Sequence, residues 1–149
     1  MQLLEEGEQG RMSDKNLLLD LVNYIILYAS DIGITADGVD IFRDWMPDSP
    51  DNSVCLSEYS GLTSDVCNVD VRSVQVKVKN TNYENGRKRI WGIYNLLYDP
   101  DSELQVIDVI TATRWGIIKP RQAPYHLVKD DSGRNIFIFN MGVTTSRDE

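Results

Sequence analysis

The sequence predicts an α+β domain: one mixed or antiparallel sheet of about four to five strands, with two helices packed on one face. Three observations point to it. In residues 71–79, Val74, Val76 and Val78 alternate with Gln75, Lys77 and Lys79, the period of a strand with one apolar and one wet face. In residues 82–98, Tyr83, Ile90, Ile93, Tyr94 and Leu97 recur at helical spacing. Near the end, Tyr125–Val128 and Ile136–Val143 are two apolar runs joined through Asp130-Asp131-Ser132-Gly133, which reads as a hairpin. The chain has 149 residues, of which 42% are hydrophobic and 26% charged, so it suits one domain with a sizeable core.

In chain order, residues 1–12 are polar and acidic and are expected to form a flexible N-terminal arm, leaving a single domain over residues 13–149. Ser13 or Asp14 is expected to cap a first helix reaching about Ala29. Leu17, Leu18, Leu21, Ile25 and Tyr28 form its apolar face. Residues 31–53 are rich in turn residues, with Ile41, Phe42, Trp45 and Met46 expected to anchor them. Val54–Tyr59 reads as a short strand and residues 60–70 as a polar connection. After the strand over 71–79, Thr81 and Glu84 fit a capping box. The helix that follows stops at Asp99-Pro100, because the residue before a proline is pushed out of helical geometry. Gly86 and Gly92 weaken that helix, so it depends on packing against the sheet or uses the glycines for close approach to another chain. Residues 104–110 read as a strand and residues 111–121 as mixed. The Ile-Phe-Ile-Phe run at 136–139 is apolar on both faces, the mark of a central strand, and a polar tail follows Val143.

Nothing in the chain carries a catalytic pattern. His126 is the single histidine and lies between two apolar strand residues, with no G-x-S-x-G elbow to partner it. There is no Walker A sequence, no G-x-G-x-x-G and no H-E-x-x-H. The acids of residues 48–53 lack the glycine of a calcium loop, and Cys55 and Cys67 with one distant histidine make no zinc set. No catalytic residue, metal or cofactor is therefore expected. No apolar run approaches the roughly 20 residues that span a bilayer. The opening MQLLEEGEQGR has no signal-peptide h-region, so the protein is expected to be made in a cytoplasm.

Three segments resemble phage minor capsid and tail terminator proteins of long-tailed phages. The first is V-x-V-x-V, then N-x-x-Y-E, then a helix ending W-x-I-Y-N-L-L, over residues 74–97. The second is D-G-V-D-I-F followed by M-P-D-x-P-D-N-x-V-x-L-x-E-Y-x-G, over residues 37–61. The third is P-Y-H-L followed by D-x-x-G-R-N-I-F-I-F-N, over residues 124–140. The resemblance implies a structural virion protein of the tail's head-proximal end, assembled in the host cytoplasm. It implies a homo-oligomeric ring, a hexamer, that caps the tail tube and offers a docking face to the head connector. Its partners are then itself, the tail tube protein and a neck or connector protein, with DNA passing through the lumen. A neck or head–tail joining protein is the alternative within the same assembly. A small enzyme or regulatory module of unknown substrate is the alternative from another class.

Charge suggests where copies meet. The net charge of −8 argues against broad nucleic-acid binding, which needs a basic footprint, and no sequence-specific nucleic-acid partner is expected. Yet residues 71–99 carry a local +4, while residues 37–51 hold five acids and one base. The candidate subunit interface therefore pairs Lys77, Lys79, Arg87 and Arg89 with Asp40, Asp44 and Asp48 of a neighbour. The plainer reading of Arg87-Lys88-Arg89 is the solvated face of an amphipathic helix.

Overall fold

The structure is a computed structural model that describes residues 16–63, 69–98, 104–110 and 112–146. The expected arm, the Ser13 or Asp14 cap, Cys67 and the Asp99-Pro100 stop lie outside the described residues. The elements in order are α1 (Leu17–Tyr28), a 3₁₀ turn (Ser30–Ile32), β1 (Ile41–Arg43), β2 (Ser53–Thr63) and β3 (Val69–Asn80). There follow α2 (Tyr83–Leu97), β4 (Gln105–Val106), β5 (Trp115–Pro120), β6 (Tyr125–Lys129) and β7 (Asn135–Ser146).

The fold is α+β, but among the described residues the sheet has seven strands rather than four or five. Their order is β1-β2-β3-β7-β5-β4, with β6 paired beside β7. The β1–β2 pair is parallel and the others antiparallel, so the sheet is mixed. The extra strands are short: β1 has 3 residues and β4 has 2, too few to show a period. Strand pairing also runs further than apolar content suggests. β2 continues past Tyr59 to Thr63 and β3 begins at Val69, so most of the expected connection over 60–70 is paired strand. The expected strand over 104–110 shrinks to Gln105–Val106, and the mixed segment after it contains β5. β7 also extends to Ser146, taking in the start of the expected polar tail.

β7 is central, as its two apolar faces predicted. It pairs with β3 along one side and with β6 and then β5 along the other. One of its faces presents Phe137, Phe139, Met141 and Val143 to the core, in line with Val74, Val76 and Val78 of β3. Both helices lie on this face. Leu17, Leu21 and Ile25 of α1 and Ile90, Ile93 and Leu97 of α2 join the strand residues in one buried cluster. Burying these side chains is the main favourable term in folding, at about 25 cal/mol per Å² of apolar area removed from water.

Both helix starts differ from expectation in the same way. The cap of α1 is Asn16, whose Oδ1 accepts from the Leu19 N–H at 2.8 Å. The cap of α2 is Asn82, whose Oδ1 accepts from the Asn85 N–H at 2.9 Å. The Thr81–Glu84 capping box does not form, because Asn52 takes the Thr81 N–H at 3.0 Å. Gly86 serves the close packing its position suggested: a Cβ there would stand 2.7 Å from the Phe137 ring.

Candidate assembly surface

The three segments that carry the family resemblance meet at one end of the sheet. Asp130 opens the β6–β7 turn and accepts the N–H groups of Ser132 and Arg134, at 3.0 and 2.8 Å. Gly133 supplies the left-handed φ of 80° that this turn needs. These bonds hold the Asp130 pKa below its usual value, the Arg134 N–H first among them and burial opposing. Arg134 is then aimed across the sheet end. Its guanidinium donates to the Asp48 carbonyl and to Asp48 Oδ1, the latter at 2.8 Å, and to Asp130 Oδ2 at 2.8 Å. Lys79 Nζ donates to the carbonyls of Pro47 and Asp48 at 2.6 and 2.9 Å. Two cations, one from β3 and one from the β6–β7 turn, thus fasten the loop over residues 44–52. Asn135 completes the junction by donating to the Asn80 carbonyl at 3.3 Å.

That loop overhangs the face of the sheet opposite the helices. No described helix packs there. The face presents Lys77 of β3, the register partner of Ile138. It also presents Ile136 and the β6 residues Tyr125 and Val128 that pair with this stretch of β7. An open groove of about 420 Å³ lies between the loop and β6, with Trp45, Met46, Lys77, Leu127, Val128 and Ile136 in its walls. Trp45 was expected to anchor the loop, yet it is 71% exposed; Ile41 alone of the expected anchors is fully buried. Leu127 and Val128 are each 49% exposed. Trp45, Leu127 and Val128 thus stand exposed together on one helix-free face.

The seven charged candidates do not share one surface. Lys77 and Lys79 sit two residues apart on β3 and face away from the helices, whereas Arg87 and Arg89 are on α2, across the sheet. Lys79 is buried by its own loop, and burial first, with Arg134 next, pushes its pKa down. Asp48 is already engaged by Arg134, although its carboxylate stays open to solvent. Asp40 accepts from the Thr35 N–H and hydroxyl and the Ala36 N–H, at 2.7 to 3.0 Å. Burial works to raise the Asp40 pKa, but these bonds and nearby Arg89 outweigh it and hold it low. Arg87 is exposed and lies over the Trp91 ring, 5.7 Å from its centroid. Lys77 and Asp44 have no ion pair among the described residues, and Asp44 projects from a left-handed backbone with φ 67°.

Among the described residues, His126 and Cys55 sit in packed surroundings. His126 lies 5.0 Å from the Phe137 ring and 5.3 Å from Tyr83, with Nε2 3.2 Å from Asn135 Oδ1. Burial pushes the Cys55 thiol up to about 11, so it is protonated and a poor nucleophile at neutral pH. Among the described residues no cluster of three His, Cys, Asp or Glu side chains could hold a metal. No helix among them is long and apolar enough to cross a membrane.

A buried ion pair that sequence reading missed secures the far end of the core. Arg114 Nε donates to Asp20 Oδ2 at 2.6 Å, and Arg114 Nη1 donates to the Ser146 carbonyl at 2.8 Å. It ties α1, the segment before β5 and the end of β7 into one unit.

Comparison with known proteins gives one family. No curated protein matches the chain significantly. The family described as "Bacteriophage tail terminator protein" matches residues 28–147, which span every strand and α2. With a match over most of its length, the chain belongs to the bacteriophage tail terminator family and is a structural component of a phage tail.

Proposed function

We propose that copies of this protein close into a ring, a hexamer, on the head-proximal end of the tail tube. There the ring stops tube growth and offers its free side to the connector. The observation that carries this reading is the helix-free face, where Trp45, Leu127 and Val128 stand exposed around Lys77. Such a face has an apolar centre for affinity and a charge for register. Tail tube protein and the neighbouring copy are the partners it would meet. A head-to-tail contact that closes on itself uses one complementary pair of surfaces at every interface. Lys77, Arg87, Arg89 and Asp44 are the members of the charged set left to act between copies. Only those near the seam contribute, because screening at physiological salt falls off over about 8 Å.

The experiment is a phage lacking this gene, complemented by wild-type or Trp45→Ser protein. Without the protein, tails should lose length control and fail to join heads. Tails of normal length that still fail to join heads would instead assign it to the neck, on the connector side.

A further inference from the structure

Arg89 presents an unmet need. It points from α2 toward the loop after the 3₁₀ turn, so close that a Cβ on Gly33 would stand 3.0 Å from Nη2. Its Nη1 is shut off from solvent and has no hydrogen-bond partner among the described residues. A buried N–H without an acceptor forfeits its hydration and gets nothing in return, so native structures rarely leave one. Asp40 is the acid whose field acts on Arg89, but its oxygens are taken by Thr35 and Ala36. The Arg89 side chain also borders an open cleft of about 430 Å³, whose walls include Lys88, Asn52, Asn80, Asn85 and Asp31, so turning the guanidinium into that cleft would give Nη1 access to an acceptor there.

Two cations and three side-chain amides around one cleft form a donor-rich site. A guanidinium donates two parallel N–H bonds to a carboxylate along one planar edge. Asp31 on the wall works against a doubly charged phosphate and leaves room for a single negative charge. We propose that the Arg89–Lys88 cleft is a receptor for a carboxylate side chain presented by a second copy of this chain. The source, though not the receptor, rests on the ring reading. The chain carries 23 acids against 15 bases, so a neighbour has carboxylates to offer. Asp44 is exposed, projects from a left-handed backbone and lies beside the helix-free face, across the sheet from α2. That is the placement a head-to-tail contact requires, and every subunit then supplies one receptor and one carboxylate.

The test uses the full chain. Acetate and inorganic phosphate are titrated at constant ionic strength, reading the Arg89 side-chain N–H signal by NMR, with Arg89→Met as the control. Acetate should shift that signal, and the variant should lack it while keeping its thermal midpoint. Arg89→Met should then be lost from tails by at least tenfold, as should Asp44→Arg, and Arg89→Asp combined with Asp44→Arg should regain incorporation. An Arg89 signal that ignores both anions in the folded parent, and also in the folded chain carrying Glu5→Gln, Glu6→Gln, Glu8→Gln and Asp14→Asn, overturns the receptor. Phosphate acting at tenfold lower concentration than acetate overturns the carboxylate. An acetate response that appears only after Glu5→Gln, Glu6→Gln, Glu8→Gln and Asp14→Asn are combined overturns the second copy, because the chain then fills its own cleft. Normal incorporation of Arg89→Met into a ring also overturns the second copy. A particle with no ring removes the proposed function and the source together, while the acetate response of the free chain would still stand.

Discussion

Arg114 reaches Asp20 across 94 residues of sequence, with Nε 2.6 Å from Oδ2 and both side chains nearly closed to solvent. A pair this buried is strongly destabilising to break, because the surviving charge stays in a low-dielectric site. Arg114→Ala should therefore cost about 3–5 kcal/mol by chemical denaturation. Adding Asp20→Asn should recover part of that loss in a double-mutant cycle. Equal and additive losses would mean that the two side chains act separately.

Gly86 opposes helix propensity to packing. Alanine is worth about 1 kcal/mol more than glycine inside a helix. Here a Cβ would meet the Phe137 ring at 2.7 Å, and that ring is fixed in the core. Gly86→Ala should lower stability by about 1–3 kcal/mol, as overpacking does. A rise in the unfolding midpoint would show that α2 can lift away from β7.

Asp40 links stability to pH. Its folded-state pKa lies below the ordinary 3.8, so its stabilising contribution is complete above that value. The contribution is lost as pH falls through the lower, folded-state value. Asp40→Asn should cost about 1–3 kcal/mol at pH 7, the scale of hydrogen bonds to a charged acceptor. The gap to the parent should narrow below pH 3.8. A gap that stays constant from pH 7 to pH 2.5 would mean that the charge of Asp40 does not matter.

The parts of the fold legible in the sequence are those with a local period. Val74, Val76 and Val78, the α2 stripe of Ile90, Ile93 and Leu97, and the β6–β7 hairpin all declare themselves within one short stretch of sequence. What stayed hidden depends on distant partners. Lys79 reads as a solvated strand residue, yet the loop over residues 44–52 folds down and caps its ammonium with two carbonyls. Thr81 fits a capping box, but Asn52 takes its N–H, and the cap moves one residue on to Asn82. β1 and β4 are too short to have a period and exist because their neighbours offer an edge. The residues of the candidate interface are divided for the same reason. Adding charges along residues 71–99 joins Lys77 to Arg87, while the pleat and the helix send them to opposite sides of the sheet.

Trp45 separates assembly from folding. It is 71% exposed, so Trp45→Ser should change stability by no more than about 0.5 kcal/mol. Incorporation into tails should nevertheless fall sharply, as expected of an aromatic at the centre of an interface. Unchanged incorporation would move the contact away from the helix-free face.

The most direct measurement is a cryo-electron microscopy map of the head-proximal end of the assembled tail. The account predicts a closed ring of this chain on the last ring of the tube, with Trp45, Leu127 and Val128 covered by protein. Single copies off the tail axis, or a ring in which those three side chains face open solvent, would contradict it.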